Sequence, residues 1–125
     1  MKLKDIIHRI LLGIAVSGAL VSCTYEEIKP QKVDVPDSVK FSANIIPIFN
    51  TSCAKSGCHI KSGIPPDLSA ANAYTSLMFF GYVDVDNPEA SIIYEKITTG
   101  SMKNNATDQD RALVLQWIKQ GAQDN

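Results

Sequence analysis

The sequence of 125 residues holds few of the side chains that usually build active sites and metal centres. It has three cysteines, two histidines and one tryptophan, and aromatic residues make up 7% of it. It shows no Ser/His/Asp set, no plausible pair of catalytic carboxylates and no glycine-rich phosphate loop. Its glycines are isolated from one another and lie where turns and helix ends are expected. The sequence therefore gives no support for these three kinds of active site.

A large excess of charge of either sign is also missing. The first 22 residues hold three of the 12 basic and one of the 13 acidic residues, so the remainder has nine basic and twelve acidic residues and a net charge of −3 with histidine neutral. A surface of that charge is not typical of proteins that bind nucleic acid or attach to membranes through basic residues. Internal repeats and low-complexity runs are absent from the sequence as well.

The one long apolar run lies near the N-terminus, at residues 10–21, and follows a short basic segment. It is too short to span a bilayer comfortably, but it has the length of a signal-peptide core. It ends in "LVSC", residues 20–23, which resembles the lipobox of bacterial lipoproteins. This resemblance implies that residues 1–22 are a cleaved signal peptide and that Cys23 becomes a lipidated N-terminus. The alternative is an ordinary signal peptide whose removal leaves Cys23 free or in a disulfide.

Residues 24–37 are polar, contain two prolines and show no helical or strand periodicity. We therefore expect residues 23–37 to form a lipid anchor and flexible tether, and residues 38–125 to form one domain. Domains of this size rarely bury enough apolar surface alone and usually carry a disulfide, a metal or a cofactor. The anchor predicts a place in the bacterial cell envelope, periplasmic or at the outer surface. Glu26 and Glu27 resemble the acidic export signals of some surface lipoproteins.

The domain is predicted to be all-α, with short helices joined by loops rich in glycine, proline and asparagine. The last helix has the clearest signals, because Thr107 and Asp110 form a capping-box pattern and Gly121 follows the apolar periodicity. Residues 81–85 are the single strand candidate and are expected to be an extended loop. The first expected helix is 42–53, with Asn44 as its cap and Pro47 in the first turn. The second is 69–80, which begins at Ser69. The last two are 88–99, which begins at Pro88 and ends before Gly100, and 108–120.

All cysteine and histidine side chains after residue 23 lie within "TSCAKSGCHIKSG", residues 51–63. A covalent haem needs two thiols that add to its vinyl groups and a histidine directly after them, usually as C-x-x-C-H. Here four residues separate Cys53 from Cys58. At about 100° per residue, the second thiol of a regular helix would be turned by about 140° from the first. Residues 54–57 must therefore bulge for both thiols to reach one porphyrin, and Gly57 can adopt the dihedral angles required.

A haem protein that transfers electrons also needs an iron ligand from a distant segment. Met102 lies 43 residues after His59, in the predicted loop between Gly100 and the last helix. Its thioether sulfur is a soft ligand suited to reduced iron. Met78, within "SLMFF", is expected to pack in the core. The sequence therefore favours Met102 over Met78 as the second axial ligand.

Several motifs, in this order, resemble a small mono-haem cytochrome c domain of the kind found in bacterial lipoproteins. They span nearly the whole domain, and variants with four residues between the cysteines are known in such families. The proline that these relatives place beside the distal methionine is replaced here by Lys103. The matching segments are "NIIPIFNTSCAKSGCH" (44–59), "PPDLS" (65–69), "NPEASIIYEKITTGSM" (87–102) and "WIKQGA" (117–122).

This resemblance implies a cytochrome c-like helical fold around one covalent haem c. Thioether bonds would come from Cys53 and Cys58, with His59 as proximal and Met102 as distal ligand of the iron. A carbonyl of residue 65 or 66, in the Pro65–Pro66 pair, would accept the second imidazole N–H and orient the ring.

The resemblance also implies that the first and last helices of the domain cross beside the haem. Phe49 and Trp117 would be among the packing residues there. Tyr82 and Tyr94 have hydroxyl groups that could donate to haem propionates, although half-buried packing is the simpler interpretation of both.

With both axial positions filled, no position on the iron remains for a substrate. The expected function is therefore that of a membrane-anchored electron carrier between redox partner proteins, with a comparatively high potential, and not that of an enzyme. Activity toward peroxide or gases is expected only if Met102 does not bind iron. The main alternative is a structural or binding lipoprotein stapled by a Cys53–Cys58 disulfide. A structural zinc site is disfavoured, because two cysteines and one histidine are one ligand short.

Overall fold

The structure is a computed structural model that describes residues 3–4 and 33–125. The chain divides between Gln31 and Lys32, and residues 33–125 lie in the second of two units. The domain is all-α, since 49% of the described residues are helical and none of them forms a β-strand. Within the same residues, no helix is both long and apolar enough to cross a membrane. Cys23 and most of the predicted signal peptide lie outside the described residues.

The first helical segment, α1, covers residues 41–53 and contains two wide π-helical turns. These turns, Phe41–Ile45 and Phe49–Cys53, flank an α-helical turn, Ile46–Ile48. Proline lacks the N–H that a helix interior requires. The helix hydrogen bonds change to a wider spacing just before Pro47, where the N–H of Ile46 bonds the carbonyl of Phe41, five residues back. The π turn therefore lets the helix run through the proline.

Asn44 is not the cap of this helix, so the predicted start of α1 was wrong. Because the wide turn accommodates Pro47 in the interior, the helix begins three residues before Asn44. The Asn44 side chain instead accepts a hydrogen bond from the backbone N–H of Lys40 at 2.8 Å.

The two middle helices are shorter than predicted. Helix α2 is Ala73–Phe79 and is preceded by turns that begin at Ser69. Helix α3 is Ile92–Thr98, because a 3₁₀ turn at Pro88–Ala90 is separated from it by Ser91 in an extended conformation.

A tertiary contact explains the break before α3. The buried Ser91 hydroxyl donates to the carbonyl of Asp84 at 3.1 Å and accepts from the N–H of Asp84 at 2.9 Å. Ser91 thus binds the 81–85 segment, which is an irregular loop, as the sequence predicted.

The last helix, α4, is Asp108–Lys119 and agrees closely with the prediction. The Thr107 hydroxyl accepts from the Asp110 N–H at 3.1 Å, and the Asp110 carboxylate accepts from the Thr107 N–H at 2.8 Å. Past the end of the helix, Gly121 has φ +89°. These reciprocal bonds satisfy two backbone donors that a helix start leaves free.

Helices α1 and α4 pack against each other around Trp117, which is 1% exposed. Its ring lies 5.0 Å from that of Phe41, and its indole N–H donates to the carbonyl of Gln123 at 2.9 Å. Phe49 is buried too, so both residues predicted to pack between the terminal helices are in the core. The buried apolar side chains also include Val39, Ile45, Ile48, Leu68, Leu77, Ile93, Ile97, Val114 and Ile118.

The folded part begins earlier than residue 38. Val35 packs against the core, and the carbonyl of Asp34 accepts from the Gln109 side chain at 2.7 Å. The carbonyl of Asp37 accepts from the Gln120 side chain at 2.5 Å. Residues 33–37, which were expected in the tether, therefore lie against the domain.

Candidate functional site

The segment that carries the two thiols leaves α1 through a tight loop. Helix α1 ends at Cys53, and Ala54 takes a non-helical conformation with φ −83° and ψ 54°. Gly57 follows with φ +78°, a value that glycine adopts at low cost. The loop closes where the N–H of Cys58 bonds the carbonyl of Lys55 at 2.8 Å. Residues 54–57 therefore form a bulge of the kind that the four-residue spacing would require for both thiols to reach one porphyrin.

The bulge places both cysteines and the histidine on the wall of one cavity. Cys53, Cys58 and His59 all line it, and the N–H of His59 returns to the carbonyl of Cys53 at 3.2 Å. The two thiols are free and are not joined in a disulfide. A regular helix would have turned the second thiol away, so the bulge is what allows both cysteines to line the same cavity.

The cavity has a volume of about 380 Å³ and mostly apolar walls. Small-molecule and cofactor sites usually enclose about 300–1,000 Å³ and have few polar groups. The cavity therefore has the size and character of a site for a largely apolar cofactor. Its apolar wall includes Phe49, Ile64, Leu68, Ile92, Ile93 and Ile97.

Backbone carbonyls orient the imidazole of His59. Its Nδ1 lies 3.0 Å from the carbonyl oxygen of Ile64 and 3.2 Å from that of Pro66. An N–H at Nδ1 pointing to these oxygens leaves Nε2 with its lone pair free to bind a metal. Pro65 lines the cavity without such a bond. Of the two carbonyls expected near the ring, the structure thus brings that of Pro66 into reach.

The sequence did not identify Ile64 as a partner of the imidazole, although a signal for it existed. The Ile-Pro-Pro segment has three carbonyls but a single N–H, because proline has none. That N–H, on Ile64, bonds the carbonyl of Cys58 at 2.9 Å. Spare acceptors were therefore to be expected here, but which of them meet the ring depends on the turn.

Gly63 is a second residue that the sequence did not single out. A β-carbon there would collide with the carbonyl oxygen of Cys58 and would lie 3.0 Å from that of Ile60. The backbone of Gly63 thus passes directly against the residue that carries the second thiol. Glycine is needed at this position for close approach of two backbone segments.

Met102 lines the same cavity from a segment far from the cysteines in sequence. It is partly buried, and its N–H bonds the carbonyl of Lys96 at 2.9 Å. The 3₁₀ turn Lys103–Asn105 follows directly. The structure thus brings Met102 into one cavity with Cys53 and His59.

Met78 lies elsewhere, and the expectation that it packs in the core was wrong. It is 36% exposed and is not among the residues that line the cavity. Helix α2 buries Leu77 instead, and the next residue in a helix is turned by about 100° from it. Phe79 and Phe80 are exposed as well, so the end of α2 has a largely exposed apolar surface.

The two tyrosines considered as propionate donors are in different places. Tyr82 is partly buried and lines the cavity. Tyr94 packs against the core but does not line the cavity, so half-buried packing describes it better.

Burial and nearby charge shift the pKa of the Cys53 thiol upward. Burial raises the pKa of Cys53 above the usual value, and the negative charge of Asp110 raises it further. A thiol in this state is a weak metal ligand on its own. Separately, within residues 3–4 and 33–125 no group of three or more His, Cys, Asp or Glu side chains is arranged to hold a metal ion.

Comparisons with protein-family models, with curated proteins and with solved structures found no match to this chain.

Proposed function

We propose that this chain is a lipid-anchored mono-haem cytochrome of the c type, with a cytochrome c-like fold, that carries single electrons between redox partner proteins. One observation carries the proposal. A single apolar cavity is lined by two thiols, by an imidazole whose Nδ1 meets two carbonyls, and by the sulfur-bearing side chain of a distant methionine.

The donor set fits a covalent haem better than it fits a bare metal ion. Cys53 and Cys58 would each add an S–H across one vinyl group of the porphyrin, a step that releases no leaving group and changes no net oxidation state. Within residues 3–4 and 33–125 no group of three or more His, Cys, Asp or Glu side chains could hold a bare ion, whereas a covalent haem needs the two thiols and one histidine.

His59 and Met102 would hold the two axial positions of the iron. The carbonyls of Ile64 and Pro66 keep the proton on Nδ1, so that Nε2 is the atom offered to the metal. When bound, the haem would supply an iron that accepts and releases one electron. The apolar walls disfavour additional charge, which raises the expected reduction potential.

The lipobox at residues 20–23 supports a place for this carrier in the bacterial cell envelope, anchored through Cys23. Partners would be redox proteins that exchange electrons with the haem. The net charge of −3 after residue 22 gives no reason to expect a nucleic-acid partner.

The proposal is tested by intact-mass measurement of the chain produced together with a cytochrome maturation system. We expect the added mass of one haem that resists extraction with acidified acetone. The single variants Cys53→Ser and Cys58→Ser should each keep the added mass through the remaining thioether bond, and the double variant should lose it entirely. Ser52→Ala, which alters the neighbouring cavity residue, is the matched control and should keep the added mass.

A second possible outcome of this measurement would contradict the proposal. A colourless protein whose mass shows a Cys53–Cys58 disulfide, after production under these conditions, would contradict the haem proposal. It would support the alternative of a disulfide-stapled structural or binding lipoprotein.

A further inference from the structure

The loop that carries Met102 has no proline after the methionine to stiffen it, since Lys103 occupies that position. Its backbone hydrogen bonds are local. The Met102 N–H bonds the carbonyl of Lys96, and the Asn105 N–H bonds the carbonyl of Met102, both at 2.9 Å. These bonds join the loop to α3 and to itself, but they do not attach it to α4.

The side chain of Arg111 supplies such an attachment from α4. Its Nε donates to the carbonyl of Ile97 at 2.7 Å, and one of its terminal nitrogens donates to the carbonyl of Lys103. The other terminal nitrogen pairs with the carboxylate of Asp108 at 2.5 Å. The planar guanidinium therefore uses all three of its nitrogens in a fixed geometry.

The two carbonyls stand on either side of Met102 in the chain. Ile97 lies in the last turn of α3, where helix carbonyls lack intrahelical partners and a cation is favourable. Lys103 is the residue directly after Met102. One rigid group thus spans the loop from before the methionine to just after it.

Arg111 is itself well held. Its side chain is 23% exposed, and its helix α4 buries Val114, Trp117 and Ile118 in the core. Hydrogen bonds from a charged donor in such a setting are stronger than those between neutral groups. Arg111 therefore links the loop to a helix that is packed into the core.

We propose that Arg111 is a positioning residue that holds Met102 at the distal face of the haem through its bonds to the carbonyls of Ile97 and Lys103. This inference rests on the proposed function. It also predicts that the geometry of the guanidinium matters beyond its charge, because a lysine ammonium cannot reach both carbonyls in the same fixed arrangement.

The test compares Arg111→Lys and Arg111→Gln with the wild-type holoprotein, with imidazole as the probe. Imidazole competes with the methionine sulfur for iron. We expect both variants to weaken the sulfur-to-iron absorption band of the oxidised protein. Their affinity for imidazole should rise about tenfold, the factor that corresponds to one hydrogen bond to a charged group.

Two controls separate positioning from general loss of stability. Val114→Ala removes buried apolar atoms from the same helix without touching the loop, and should leave the band and the imidazole affinity unchanged. In a Met102→Ala background, Arg111→Lys should no longer alter imidazole affinity, because the ligand that Arg111 positions is absent.

The outcomes distinguish this inference from the proposed function. A wild-type protein without covalent haem would overturn both. A wild-type protein with haem and the sulfur band, but with band and imidazole affinity unaltered in Arg111→Lys and Arg111→Gln, would overturn the inference alone. So would an effect of Val114→Ala as large as that of the arginine variants.

Discussion

At the scale of single residues, exposure separates the two methionines that the sequence offers as iron ligands. Met102 is partly buried and lines the cavity with Cys53 and His59. Met78 is 36% exposed and lies outside the cavity lining. Both residues are equal in ligand chemistry, so it is their position that favours Met102.

This difference makes a direct prediction for the holoprotein. Under the proposed function, we expect Met102→Ala to abolish the sulfur-to-iron band of the oxidised form, because the proposed ligand is removed, and to open the iron to imidazole or peroxide. Met78→Ala is the matched control and should leave the absorption spectrum unchanged. Loss of the band in Met78→Ala, with its retention in Met102→Ala, would show that the ligand assignment is wrong.

At the scale of elements, the segment after α1 shows how a loop can present groups that a helix would separate. Gly57 turns the chain with a positive φ, and Gly63 lets the returning backbone pass against Cys58. The same return brings the carbonyls of Ile64 and Pro66 to the imidazole of His59. The arrangement of thiols and imidazole therefore depends on a loop whose backbone segments are in close contact.

A methyl group at residue 63 should disturb this loop. We expect Gly63→Ala to lower the fraction of protein with covalent haem severalfold, because the backbone at Cys58 must move away from the new β-carbon. Intact mass after production with the maturation system measures that fraction.

Gly121→Ala provides the control for this experiment. Residue 121 has a positive φ and open space around it, so alanine there costs about 1 kcal/mol of stability without touching the loop. Equal loss of haem in the two variants would argue against a specific role for Gly63.

At the scale of the whole domain, the start of α1 is hydrogen-bonded to the C-terminal residue. The Phe41 N–H donates to the side-chain oxygen of Asn125 and the Ser42 N–H to its carbonyl, both at 2.8 Å. The ring of Phe41 packs on Trp117, and Val35 lies against the core. The chain termini of the domain thus contribute to its stability.

Residues 33–37 should accordingly add measurable stability. A chain that begins at residue 38 is expected to unfold with a free energy about 1–3 kcal/mol below that of a chain beginning at residue 33, since it loses the apolar contact of Val35 and the hydrogen bond at Asp34. Urea unfolding of the two chains under identical conditions measures the difference. Equal midpoints and slopes would show that these residues belong functionally to the tether.

Predictions that depend on neighbouring residues were the most successful. The start and end of α4 follow from Thr107, Asp110 and Gly121, and all three behave as their sequence positions indicate. The predicted start of α3 at Pro88 was wrong. Ser91 bonds to Asp84 and interrupts the helix that the local sequence signals place from Pro88 onward. Helix propensity is a weak constraint when a buried hydroxyl needs a partner.

Residue chemistry and spacing within a few turns were enough to predict the helical class and the start and end of α4. The packing of distant segments brings Met102 into one cavity with Cys53 and His59, requires glycine at residue 63, and carries Arg111 to the loop after α3. Each of these facts rests on contacts between segments that are distant in sequence or on a loop path. Such contacts follow from how the whole domain packs, which local patterns do not specify.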